Sequence, residues 1–403
     1  MLLSLSLIIL LGVTIGNLFV KLKLPHIIGM LITGIILGPH VLNLLDSSIL
    51  KISADLRKMA LVIILLKAGL SLDLSDLKKS GSSAFFLSFL PASFEILGYI
   101  IFAPIFFKVK VIDAAVLGAV LASVSPAVVV PRMIDLIERK YGTNKGIPQM
   151  IVAGASCDDI FTIVLFTTFL NTALNGHFNI NSLFSIPISI ILGIIIGSMV
   201  GYFLHIIFEN LYKKHHYVRN SIKVIIILGF SFLLVSLEEK LSNILPISGL
   251  LAVMSMASVI KIKSVDFVSK RLSEKFGKIW LSAEVLLFVL VGAAVDIRYT
   301  LGFGKEAILI IFICLIFRSV GILISIAKRD FNNKERVFCI LAYIPKATVQ
   351  AAIASIPLLS GLGSGNLILS IAVLSILITA PMGAIGIDKT YVKYLKKSNN
   401  YHG

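Results

Sequence analysis

Two carboxylates stand side by side in "GASCDDIFTIVLF", residues 154–166, in an otherwise apolar run. Three more charged side chains share that kind of setting: Glu95 in "PASFEILGYII", Arg318 in "ICLIFRSVGIL" and Lys346 in "YIPKATVQAA". At the centre of a bilayer each costs roughly 2.5–3.5 kcal/mol on an insertion scale, so five cost on the order of 15 kcal/mol unless they pair. Three acids against two bases leave one carboxylate over. A carboxylate kept dry has to have its charge cancelled, by a proton or by a small monovalent cation. Where the two compete for the same oxygens, and the site faces one side at a time, the metal ion leaves only as protons arrive. We expect Glu95 to pair with Arg318, and Lys346 with Asp158 or Asp159. Neighbours on a helix point about 100° apart, so one aspartate holds the lysine while the other faces a cavity.

The elements that must position these groups are membrane helices. The chain is 57% hydrophobic and 14% charged, against about a quarter charged in soluble domains. Its apolar blocks reach the roughly 20 residues that cross hydrocarbon as a helix and lack the alternation of a barrel. We read an all-α polytopic protein with about thirteen spans: 2–20, 26–42, 57–72, 83–107, 112–131, 148–171, 182–210, 219–237, 244–260, 279–297, 303–327, 335–357 and 365–386. The first has no basic segment before it and no obvious cleavage site, so it is kept as a helix.

Lys and Arg crowd the loops on one side, among them "RMIDLIERKYGTNK", "KIKSVDFVSKRLSEKFGK" and "KRDFNNKER", and the tail "KTYVKYLKK". That bias puts the amino terminus outside and the carboxyl terminus in the cytoplasm. It also accounts for the net charge of +16 as basic loops facing anionic lipid, with no call for nucleic acid. Cys157, Cys314 and Cys339 lie in or beside apolar spans without paired spacing, which argues against a disulfide framework or a metal centre. His215 and His216, beside Lys213 and Lys214, read as a solvated basic loop, and Lys67 as a snorkelling side chain.

The halves of the chain repeat. Pro25 and Pro246, Asp73 and Asp296, and Pro126 and Pro345 stand in similar stretches at separations of 221, 223 and 219. The offset covers seven spans, an odd number, so the second copy enters from the opposite face. That is an inverted-topology repeat, with a site where the copies meet near the midplane. Glu95 and Arg318 are also 223 apart, so they occupy equivalent places near the pseudo-two-fold axis. Pro126 leaves the carbonyl of Ala122 without its helical bond, and Pro345 interrupts the matching helix. Freed backbone groups at that depth are tolerated where they line a cavity or are buried in protein. Ser125, just before one break, and Thr348, just after Lys346, are further possible oxygen ligands.

"GASCDDI", "SVSPAVVVP", "LLFVLVGAAVDI", "FRSV" and "YIPKATVQAA", in this order over nearly the whole chain, resemble the NHA branch of the monovalent cation/proton antiporters. The resemblance implies an NhaA-like antiporter fold and exchange of Na⁺ or Li⁺ for H⁺ across the plasma membrane. Asp158 and Asp159 would be the cation- and proton-binding acids, Glu95, Arg318 and Lys346 the charge compensation. It implies a homodimer, no cofactor, and elevator-like alternating access. Scaffold would comprise 1–80 and 215–300, an ion-transport core 81–172 and 301–388, a linker helix 173–214 and a cytoplasmic tail 389–403. Arg318 stands where some relatives have a lysine, and an arginine does not release its proton at working pH, so the proton stoichiometry stays open.

A K⁺/H⁺ antiporter or a sodium-coupled transporter of the same fold is the runner-up. An intramembrane aspartyl protease needs two acids facing across a cleft, whereas Asp158 and Asp159 share one helix. A channel would favour a continuous pore over broken helices.

Overall fold

A computed structural model of the chain describes residues 1–71, 81–175, 180–215, 219–241, 247–296 and 302–397. Asp73, Pro246 and His216, and the side chain of His215, lie outside the described residues. Within them the order is α1 (Leu2–Lys21), α2 (His26–Leu37), α3 (Ser47–Lys51), α4 (Ser53–Ser71), α5 (Gly81–Leu87), α6 (Leu90–Phe107), α7 (Val111–Leu121), α8 (Pro126–Glu138) and α9 (Ile147–Asn175). There follow α10 (Ile180–His215), α11 (Asn220–Leu241), α12 (Gly249–Lys263), α13 (Asp266–Ala293), α14 (Gly304–Ser325), α15 (Asn333–Ala342), α16 (Thr348–Ile353), α17 (Ile356–Leu359) and α18 (Gly365–Tyr394). In hydrocarbon a backbone must satisfy its own polar groups, and helices do so segment by segment.

Among the described residues nine helical stretches are long and apolar enough to cross a membrane. The chain is therefore an all-helical, multi-pass membrane protein. Two of the nine are interrupted: Gly81–Phe107 joins α5 to α6, and Val111–Glu138 joins α7 to α8. The other four expected spans are helical over shorter or more polar lengths. α2 has 12 residues and α12 has 15, α4 carries Asp55, Arg57, Lys58 and Lys67, and 335–357 is split between α15 and α16.

The chain forms two compact units. One comprises Asp55–Leu72 and Asn175–Leu287. There Gly193, Gly197 and Gly201 of α10 lie one turn apart against the Ser248, Ala252 and Met256 carbonyls beside and along α12, the small-residue spacing that lets membrane helices touch backbone to backbone.

The other unit comprises Met1–Ala54, Asp73–Leu174 and Phe288–Gly403, and holds all five buried charges singled out above. The expected span 83–107 is interrupted at Ser88–Phe89, because Pro91 lacks the N–H that would reach the Leu87 carbonyl. Gly321 of α14 fits against that break, where a Cβ would sit 2.8 Å from the Leu90 carbonyl oxygen. α15 begins with a capping box, Asn332 and Glu335 each accepting the other's backbone N–H. Glu335 also holds Lys145 at 2.9 Å, ahead of α9. At the same end the chain after α18 returns to the turn before α9. The Gly142 N–H donates to the Lys396 carbonyl at 2.8 Å, Tyr141 and Lys397 form an isolated β-bridge, and Leu395 is buried in a core with Met133, Ile147 and Phe338.

Candidate functional site

The site is built on two helix breaks. α7 stops at Leu121 and α8 starts at Pro126; α15 stops at Ala342 and α16 starts at Thr348. The Ala122 carbonyl that Pro126 frees does not stay bare: Arg318 donates to it from Nη1. Its neighbours are capped in the same way, Leu121 by Lys346 Nζ and Ser123 by Gln350 Nε2 at 2.6 Å. Three successive carbonyls thus receive three buried side chains from the second half of the chain.

The second break is bonded with equal completeness. Tyr343 O accepts from Arg318 Nε at 2.7 Å, and Pro345 O from the Ser125 N–H at 2.7 Å. The Lys346 N–H donates to Thr379 Oγ1 on α18 at 3.1 Å, and the Ala347 N–H to Gln350 Oε1 at 2.8 Å. Pro345 packs on Gly383 of α18, where a side chain would collide with its ring. Each proline marks a real interruption, and the two interruptions are joined directly.

The charges divide unequally. Glu95, fully buried on α6, is contacted by both bases: Arg318 Nη1 at 2.8 Å and Lys346 Nζ at 2.8 Å. This confirms the contact expected from the 223-residue separation and corrects the expected partner of Lys346, which is Glu95 and neither aspartate. The reason lies in α7. Gly118 comes within reach of Ile96 and Tyr99 on α6, so Leu121, about one turn on, ends beside Glu95. A lysine anchored on the Leu121 carbonyl therefore meets that glutamate. Counting charges as pairs misses this, since one carboxylate has lone pairs enough for two donors.

Asp158 takes the remaining side of Arg318, with Nη2 at 3.4 Å, and accepts the Val124 N–H at 2.7 Å. Asp159 accepts a hydrogen bond from the Ser123 hydroxyl and, among the described residues, pairs with no base. The two aspartates do face different neighbours. Of the five charged groups Asp159 is the most accessible, at 7% exposure against 0–1% for the others. Three acids and two bases leave one formal negative charge, and the contacts leave it on Asp159.

Ser125 and Thr348 are buried at the two breaks, and among the described residues their hydroxyls have no hydrogen-bond partner; Asp158 Oδ1 is in the same state. Unsaturated oxygens of this kind suit a hard monovalent cation. Sequence reasoning passed over Ser123 and Gln350. Ser123 lies two residues from Ser125 in "ASVSP", and nothing in that spelling says which hydroxyl faces Asp159. Gln350 carried a signal, an amide in the apolar stretch that follows the second break.

A family model described as "Sodium/hydrogen exchanger, transmembrane" matches residues 6–390. The chain belongs to that family. The exchanger is 32% identical over 417 residues to sodium/hydrogen exchanger 9B2 of Xenopus tropicalis, covering 96% of this chain and 73% of the relative. It is 33% identical over 392 residues to sodium/hydrogen exchanger 9B1 of Mus musculus, covering 93% and 67%. Its fold is that of the sodium proton antiporter MjNhaP1 from Methanocaldococcus jannaschii, with a TM-score of 0.81 at 21% identity over 97% of each chain. In the exchanger described here, the paired aspartates and the crossed breaks lie together in one compact unit.

Proposed function

We propose that this chain is a secondary transporter that exchanges Na⁺ or Li⁺ for H⁺ across the plasma membrane, with Asp159 as the exchanging carboxylate. The observation that carries the reading is the division of charge: Arg318 and Lys346 are committed to Glu95 and Asp158, and Asp159 is left with a hydroxyl. A proton or a metal ion cancels its charge by turns. Asp158 is the second ligand, with its free oxygen, and the Ser125 and Thr348 hydroxyls supplement it. The names of the relatives, sodium/hydrogen exchanger and sodium proton antiporter, support the same substrate pair.

The short and broken segments α2, α4, α12 and α15–α16 complete thirteen crossings in this reading, arranged as two inverted repeats. In its favour are the contact between the equivalently placed Glu95 and Arg318 and the bond from Ser125 to Pro345 across the two breaks. Alternating access carries a core of 81–172 and 301–388 past a scaffold of 1–80 and 215–300, joined by 173–214, in a homodimer. That partition differs from the packing units, which group 1–54 with the site. The amino terminus is outside and the basic loops and tail face the anionic cytoplasmic leaflet.

The test is a pH-gradient dequenching assay in proteoliposomes with Na⁺, Li⁺ and K⁺ added in turn. Dequenching by Na⁺ and Li⁺ that Asp159→Asn abolishes supports the proposal. A response to K⁺ alone moves the reading to K⁺/H⁺ exchange, and undiminished exchange by Asp159→Asn overturns the role of that residue.

A further inference from the structure

Gln350 touches none of the five charges through any of its hydrogen bonds, yet it is fully buried and ties the two breaks together. Its Oε1 accepts the Ala347 N–H at 2.8 Å, which fixes the amide at the head of α16. The other end of the same amide donates from Nε2 to the Ser123 carbonyl at 2.6 Å. Ser123 is the residue whose hydroxyl donates to Asp159. An amide is suited to this task, since it offers an acceptor and a donor about one atom-width apart in a rigid plane. No other natural side chain of that length presents both groups without a charge.

The consequence for Ser123 is direct. Residues 122–125 are without helical structure, apart from the Ser125 carbonyl, which caps the head of α8 by accepting the Val128 and Val129 N–H groups at 3.2 Å. Their geometry is set by what caps their polar groups: Arg318 on Ala122, Gln350 on Ser123, Asp158 on Val124 and Pro345 on Ser125. Of these, Gln350 is the only one that grips the serine bonded to Asp159. We propose that Gln350 is a positioning residue of the cation site: by clamping the Ser123 backbone to the second break it presents the Ser123 hydroxyl to Asp159 and so sets the affinity for the transported ion. This rests on the proposed role of Asp159.

The experiment measures KM and kcat for Na⁺ in proteoliposomes for the parent, Ser123→Ala, Gln350→Met, Gln350→Glu and the Ser123→Ala/Gln350→Met double variant. Methionine keeps the length and removes both bonds. Glutamate keeps the acceptor for the Ala347 N–H and withdraws the amide donor from Ser123, so it separates the local cap of α16 from the clamp and carries the test if the methionine variant does not fold. We expect each Gln350 variant to raise KM about ten-fold, the scale of one lost hydrogen bond at a charged site, with kcat changed much less. The double variant should be no worse than the worse single variant, because Gln350 acts through Ser123. Unchanged KM in both Gln350 variants, a fall in kcat alone, or KM factors that multiply in the double variant would each overturn the proposal. If Ser123→Ala raises KM and the Gln350 variants do not, the clamp is wrong and the site stands; if Asp159→Asn still exchanges, the site itself is wrong and the clamp falls with it.

Discussion

Lys346 reaches Glu95, at 2.8 Å, across a separation of 251 residues, and Arg318 meets the same carboxylate at 2.8 Å. Glu95 is thus a shared counter-ion of Lys346 and Arg318, and Asp159 is released from that duty. The arrangement stabilises two cations with a shared glutamate, three carbonyls, those of Leu121, Ala122 and Tyr343, and Asp158 on the outer side of Arg318.

Glu95→Ala strands Lys346 and leaves Arg318 with Asp158 as its one acid, and is expected to cost about 3–5 kcal/mol, the usual penalty for breaking a buried ion pair from one side. Lys346→Met, which leaves Arg318 paired, should cost less. Exchanging the two residues, Glu95→Arg with Arg318→Glu, should not rescue stability, because the new arginine would face Lys346. Melting temperatures of the purified variants check all three. A swapped protein as stable as the parent would mean that Lys346 does not share Glu95.

Asp158→Asn and Asp159→Asn should part company in the same assay. The first loses the charge held by Arg318 and the Val124 N–H, so it should lower the melting temperature as well as transport. The second removes an unpaired buried charge, and its melting temperature should hold or rise while exchange is lost. Equal melting temperatures for the two would contradict the division of charge between them.

Pro126→Ala restores an N–H that can bond the Ala122 carbonyl, the acceptor now used by Arg318. Closing the helix there competes with that contact. We expect turnover to fall severalfold with stability unchanged or higher, measured as initial rates at saturating cation beside a thermal melt. A fall in both would point to a packing role for the proline ring.

Gly154 lies one turn before Asp158 on α9, and a Cβ there would collide with Tyr343 Oη and lie 2.9 Å from Leu87 Cβ. Gly154→Ala should therefore cost about 1–3 kcal/mol, the range for overpacking. Tyr343 Oη is buried without a partner among the described residues, so Tyr343→Phe should be neutral or stabilising alone and should relieve part of the cost of Gly154→Ala. Melts of the two single variants and the double variant give the coupling directly.

Much of the site is legible in the spelling of the chain because burial is expensive for charge and proline is decisive for backbone. Five charges in apolar runs, two prolines at a common offset, and Glu95 and Arg318 at nearly the same offset point to the breaks and to one contact. The partner of Lys346 was not legible, since it depends on where the freed Leu121 carbonyl ends up, and that is set by how Gly118 lets α7 approach α6. The interruption at Ser88–Phe89 had its signal in Pro91, which also reads as an ordinary residue near the start of a span. Ser123 could not be told from Ser125, because the backbone between Leu121 and Pro126 follows no periodicity that assigns faces.

The return of the chain after α18 has a practical side. Lys396 and Lys397 are stitched to Tyr141 and Gly142, and Leu395 fills a core shared with the start of the helix that bears the aspartates. Shortening the protein at Tyr394 would uncover that core and loosen the footing of α9, so a deletion meant to trim an idle end would disturb the helix that carries Asp158 and Asp159. Fusion partners and labels belong beyond Lys397, joined through a spacer that leaves this seam closed.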